Sequence, residues 1–151
     1  MSDIVKVVKL YAKGAPVGVL DGRVVGLLTH REQAVEWAVG EADGGFRFTA
    51  KGTEDTIVAE TAPLSEGTGR APVAVRPDDS PASVWRLQRV EPDGGVRTIA
   101  GLDDLDAGLY VIDQNGLPLG RDLFEDRSLL PKPVVLRTDE REPQWRVEIL
   151  A

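Results

Sequence analysis

The sequence has no cysteine and one histidine, His30. Lack of cysteine removes a disulfide framework and any thiolate metal site. A lone histidine leaves only carboxylates as further metal ligands, and it is the sole candidate base for a Ser-His-Asp triad. That base lies in Thr29-His30-Arg31, a polar turn with no nucleophile-elbow serine, so it reads as a surface residue. Aromatic residues are scarce at 5 %, and a run of apolar residues long enough to span a bilayer as a helix is missing. The first residues, MSDIVKVVKL, lack the charged and apolar regions of a secretory signal, which points to a cytoplasmic protein without a membrane partner. Basic charge is not in excess either: the net charge is −7, which disfavours a nucleic-acid partner.

What is present is 151 residues, 42 % of them hydrophobic, enough for one folded domain with a single core. Short β-rich runs separated by turn residues fill the chain, without the long helical patterns that βαβ units need. Strands are expected at Ile4–Tyr11, Val17–Leu20, Arg23–Leu28, Phe46–Ala50, Thr56–Glu60, Pro72–Arg76, Ser83–Val90, Leu109–Ile112 and Val134–Arg137, with another around Trp145. Asp21-Gly22 and Asp43-Gly44-Gly45 are turns, and Asp113–Gly116 is a further one carrying Asn115-Gly116. Thr29–Val39 has the propensity of a helix, but its register against the other tryptophans favours a turn followed by a strand.

The three tryptophans, Trp37, Trp85 and Trp145, stand 48 and 60 residues apart, each with an apolar residue two positions later. Pro72–Arg76 leads through Asp78 to Trp85-Arg86-Leu87, and Pro133–Arg137 leads through Asp139 to Trp145-Arg146-Val147. A recurrence of this length marks a repeat architecture. The expectation is an all-β fold, a β-trefoil of three repeats with about four short strands each. The repeats are set at roughly 4–43, 44–90 and 108–150, with Glu91–Ala107 as a surface connector. The tryptophans are expected to fill its core.

Most polar motifs carry little chemistry. Asp103, Asp104 and Asp106 follow no EF-hand spacing, and Gly67-Thr68-Gly69-Arg70 lacks the lysine and helix of a phosphate loop. Adjacent carboxylates such as Glu125-Asp126 point apart in an extended chain, a poor arrangement for acid–base work. No catalytic residues, cofactor or metal are expected, and the chain does not read as an enzyme. One motif remains, Glu125-Asp126-Arg127-Ser128-Leu129-Leu130-Pro131. An exposed Arg127–Ser128 bond is what a trypsin-like pocket with an aspartate at its base accepts. The same residues also suit a structural loop.

The stretches Gly108–Ile112, Gly120-Arg121, Glu125–Leu129, Pro131–Val135 and Trp145 resemble the cospin-type serine protease inhibitors, a β-trefoil family of mushrooms. Gly14-Ala15-Pro16, Asp21–Val24 and Gln33-Ala34 before Trp37 resemble a later part of that family. The resemblance implies a monomer that inhibits a trypsin-like serine protease through the loop Glu125, Asp126, Arg127, Ser128 and Leu129, with Arg127–Ser128 as the reactive bond. The family's inhibitory unit comes first, whereas here it comes last, so a circular permutation is implied with Glu91–Ala107 joining the ancestral ends. The alternatives are a non-inhibitory protein-binding module, for instance through Pro63–Ala71, and a carbohydrate-binding module. The ricin-like glutamine two residues before each tryptophan is replaced by Val35, Ser83 and Pro143, leaving Tyr11 and Tyr110 as stacking aromatics.

Overall fold

A computed structural model of the chain describes residues 5–12, 15–20, 22–27, 29, 31–42, 44–59, 70–78, 80–114, 117–121, 132–137 and 144–150. Among the described residues thirteen strands follow one another: β1 (Val5–Ala12), β2 (Ala15–Leu20), β3 (Arg23–Gly26), β4 (Trp37–Ala42), β5 (Gly45–Ala50), β6 (Thr56–Ala59), β7 (Arg70–Arg76), β8 (Arg86–Val90), β9 (Val96–Thr98), β10 (Gly108–Gln114), β11 (Leu117–Arg121), β12 (Lys132–Arg137) and β13 (Gln144–Ile149). Three single 3-10 turns, at Arg31–Gln33, Pro81–Ser83 and Leu102–Asp104, are the helical elements among the described residues. None of the described helices is long and apolar enough to cross a membrane.

Turn chemistry sets the hairpins. Leu20 pairs with Arg23 across Asp21-Gly22, and Gly22 has φ of 73°. Ala42 pairs with Gly45 across Asp43-Gly44, and Gly44 has φ of 81°. Both glycines sit where a side chain would be strained, as two-residue hairpin loops require.

The closed element is an antiparallel barrel of seven strands, in the order β1-β2-β3-β12-β11-β10-β13 and back to β1. The remaining strands are added to it: β4, β5, β6 and β7 run from β1 round to β3 and β12, while β8 pairs with β10 and carries β9. This corrects the expected β-trefoil, in which six strands form the wall and three hairpins cap one end. The cause is the length of two strands. β1 continues to Tyr11 and Ala12, which pair with Pro16 and Ala15, and β10 continues to Asp113 and Gln114, which pair with Pro118 and Leu117. The hairpins β2–β3 and β11–β12 are thereby drawn into the wall, and Lys132↔Gly26 with Pro133↔Val25 closes it. Asp113, placed in a turn by the sequence, is accordingly a strand residue. Closure leaves fewer unpaired strand edges to satisfy.

Period-two alternation aims Val8, Leu10, Ala12, Trp37, Val39, Phe46, Phe48, Tyr110, Ile112, Trp145 and Val147 into one continuous core. The tryptophans share a local setting. Trp85 Nε1 donates to Ile57 O and Trp145 Nε1 to Leu119 O, both at 2.9 Å. Trp37 Nε1, equally buried, has no acceptor. On the first strand of its neighbouring hairpin, the Val17 carbonyl is taken by the Val35 N–H at 3.0 Å. Trp85 also bridges to β5, its N–H and carbonyl both bonded to Phe46 at 2.8 Å.

The segment Glu91–Ala107 is not a loose surface connector. Ile99, Leu102 and Leu105 are 3 %, 3 % and 1 % exposed. They recur every third residue, the spacing that a 3-10 turn places on one side. Polar bonds hold the segment at three points: Ile99 N to Leu87 O at 3.0 Å, Leu102 N to Glu41 Oε2 at 3.0 Å, and Lys6 Nζ to Leu105 O at 2.7 Å. Burial of these side chains counts against the implied circular permutation, because a segment that only joins old ends needs no core contacts. Leu105→Ala is expected to lower stability by about 2–5 kcal/mol, the range for truncating a core leucine. Urea denaturation measures it, and an unchanged midpoint would restore the surface connector.

Candidate functional site

The sequence places its candidate site in the connection between β11 and β12. Glu125, Asp126, Arg127, Ser128 and Leu129 lie outside the described residues, as do Pro131 and the lone His30. What is described is the frame on either side. Leu119, Gly120 and Arg121 of β11 pair with Leu136, Val135 and Val134 of β12. β11 is bound on its other side to β10. β12 is bound to β3 through Lys132 and Pro133, and to β7 through Val135, Leu136 and Arg137. Leu119 and Val134 are each 2 % exposed, and Leu119 O is the acceptor for the buried indole of Trp145.

Local sequence explains this frame. Leu117-Pro118-Leu119 and Pro133-Val134-Val135-Leu136 supply β-branched and large apolar residues, with each proline near a strand start, where a missing N–H costs least. The consequence is mechanical: the two ends of residues 122–131 are fixed by strands that are themselves paired on both edges.

The other polar groups form structural networks. Arg86 donates to both oxygens of Asp113 from Nε and Nη2, each at 2.9 Å, and Gln88 Nε2 adds a third bond at 2.5 Å. This saturates a buried carboxylate, and the Asp113 bond raises the Arg86 pKa. Asp78 accepts from Ser80 Oγ and from the Ser80 N–H, while Ser83 Oγ, fully buried, donates toward Ser80 O at 2.8 Å and accepts from Arg47 Nε at 2.8 Å. The Ser80 hydroxyl bond is the main cause holding the Asp78 carboxyl below its ordinary range. This serine cluster caps the Pro81–Ser83 turn, and the described residues around it include no histidine to activate a hydroxyl.

A carboxyl whose folded pKa is lowered stabilises the fold above its unfolded pKa and loses that contribution as pH falls through the folded value. Asp78→Asn is therefore expected to destabilise at pH 7 and to flatten the stability profile below about pH 4, the ordinary aspartate range. Urea midpoints across that range test this, and an unaltered acid limb in the variant would contradict it.

Asp103 and Asp104 are exposed in the first turn of Leu102–Asp104, and Asp106 lies 3.9 Å from Arg89. No group of three or more metal-ligating residues occurs among the described residues. Tyr110, offered as a sugar-stacking residue, is instead a core residue with 0 % exposure. Its hydroxyl donates to Asp106 O at 2.9 Å and accepts from Asp106 N at 3.1 Å. Alternation within β10 turns it inward. Tyr11 faces outward, but Arg146 covers its ring at 3.8 Å from the centroid. Tyr110 therefore presents no open face to a sugar, and one face of Tyr11 is taken by Arg146. The Gly67–Gly69 stretch, like most of Pro63–Ala71, falls outside the described residues, with Arg70 and Ala71 opening β7.

No protein-family model matches the chain, and no curated protein matches it.

Proposed function

We propose that this protein inhibits a trypsin-like serine protease by presenting the Arg127–Ser128 bond from the β11–β12 connection. The observation that supports the reading is the anchorage of that connection: its ends are the paired residues Arg121 and Lys132, held by β10 on one side and by β3 and β7 on the other. An inhibitory loop needs such a frame, because fixed ends reduce the ordering entropy lost on docking. The likeness of Glu125–Leu129 to the cospin-type loop supports the reading at the level of the loop sequence. It does so without the trefoil fold that the likeness implied.

In this reading Arg127 enters the primary pocket and makes a charge-assisted bond to its aspartate. Fixed strand ends keep the two sides of a cleaved Arg127–Ser128 bond close together, so religation competes with release. Titration of active-site-counted trypsin with the full chain tests the proposal. Residual activity falling linearly to zero at one inhibitor per enzyme supports it. Full activity at a tenfold excess of this protein excludes it.

A further inference from the structure

Two cations without acceptors among the described residues, Lys9 and Arg146, share one outer face of the barrel. The antiparallel registers Leu109↔Arg146 and Tyr11↔Arg146 set Leu109, Arg146 and Tyr11 in one row across β10, β13 and β1. Lys9↔Glu148 forms the next row on the same face, so Lys9 lies diagonal to Arg146. Arg146 is exposed and its guanidinium carbon lies over the Tyr11 ring, 3.8 Å from the centroid. Glu148, the nearest carboxylate by register, accepts from Tyr11 Oη at 3.3 Å.

Among the described residues, neither Lys9 nor Arg146 has an oxygen partner. Arg86 has Asp113, Arg97 has Glu91, Arg89 has Asp106 and the Tyr110 hydroxyl, Arg76 has Asp78 and Arg47 has Ser83. In a chain of net charge −7, carboxylates are plentiful, so a guanidinium left without any oxygen partner among the described residues stands out. A guanidinium held over an aromatic ring is restrained by that contact while its N–H groups stay free to donate, which suits bidentate contact with a carboxylate. Leu109, 43 % exposed at the end of the same row, offers an apolar neighbour.

We infer that this face docks an acidic peptide, with a carboxylate of the peptide on the Arg146 guanidinium and an apolar side chain against Leu109. The surface is separate from residues 122–131 and the inference is independent of protease inhibition. The chain's net negative charge opposes an acidic ligand only at long range. At physiological salt, screening over about 8 Å leaves the local groups to decide, and Lys9 and Arg146 against Glu148 leave this face positive. Arginine and tyrosine are also among the residue types that dominate peptide and protein interfaces.

The test is an NMR titration of the full, isotope-labelled chain with the blocked peptide acetyl-Leu-Glu-Leu-Asp-amide, beside its uncharged counterpart acetyl-Leu-Gln-Leu-Asn-amide. The acidic peptide is expected to shift the amides of Tyr11, Leu109 and Arg146, saturably and with affinity falling as salt rises. Arg146→Gln should weaken it roughly tenfold or more, as loss of a hydrogen bond to a charged group does. Tyr11→Leu, which keeps the apolar bulk and frees the guanidinium, should weaken it several-fold. Arg97→Gln, at an arginine already paired with Glu91, should leave it unchanged. Absence of shifts at millimolar peptide, equal shifts with the uncharged peptide, or undiminished affinity in Arg146→Gln would each overturn the assignment.

Discussion

Replacing Trp85 with alanine is expected to lower the unfolding free energy by roughly 3–5 kcal/mol, the cost of removing a large aromatic from a core. Trp85 is fully buried, its indole satisfies Ile57 O, and its backbone supplies the bridge to Phe46 that ties β5 to the start of β8. Gly45 beside it has no room for change, since a Cβ there would stand 2.4 Å from Trp85 O. A sharper outcome comes from phenylalanine at each tryptophan. Trp85→Phe and Trp145→Phe each strip a buried carbonyl of its donor, Ile57 O or Leu119 O, at an added cost of about 1–3 kcal/mol. Trp37→Phe removes an N–H that has no acceptor and should cost less than either. Equilibrium denaturation of the three variants measures the order, and Trp37→Phe as the most damaging of them would contradict it.

Arg127→Ala is expected to abolish trypsin inhibition while leaving the melting temperature within a few degrees of the parent. A side chain that fills a primary pocket dominates its interface, with a loss of at least about 2 kcal/mol on truncation and often far more. Surface substitutions away from caps, cores and networks usually change stability by no more than about 0.5 kcal/mol. Arg127→Leu should move the preference toward chymotrypsin-like enzymes, because the pocket residue sets discrimination. Arg121 is the internal control: its backbone is held by Val134 in the β11–β12 ladder, outside the proposed reactive bond. Progress curves with both enzymes, run beside calorimetry, separate the two effects. Retained inhibition by Arg127→Ala would remove Arg127 from the mechanism.

Much of the local structure was legible because turn residues act over two or three positions. Asp21-Gly22 marks a hairpin that the register bears out, and the turn read at Asp43-Gly44-Gly45 joins β4 to β5, with Gly45 already in the strand. Thr29–Val39 shows propensity losing to tertiary pairing: Arg31–Gln33 makes one 3-10 turn, and Trp37 then begins a strand bonded to both β1 and β5. The error lay in closure, which depends on contacts far apart in sequence. Nothing near Val25 announces Pro133 as its partner, yet that pair closes the wall. The core role of Ile99, Leu102 and Leu105 was hidden by their acidic, turn-rich surroundings, although their three-residue spacing was a usable signal. Arg127 could be singled out from its neighbours in the chain, whereas the Arg146–Tyr11 stack arises only when β13 pairs with β1, 135 positions away in the chain.

Locating the bond that the protease contacts tests the functional account most directly. Incubating the full chain with catalytic trypsin, quenching in acid at intervals and weighing the products by mass spectrometry reads it without assumptions about affinity. The account predicts one slow cleavage, accumulating as residues 1–127 and 128–151 while the enzyme stays inhibited. Rapid cleavage at many lysines and arginines with full enzyme activity, or a single slow cleavage at any bond other than Arg127–Ser128, would contradict it.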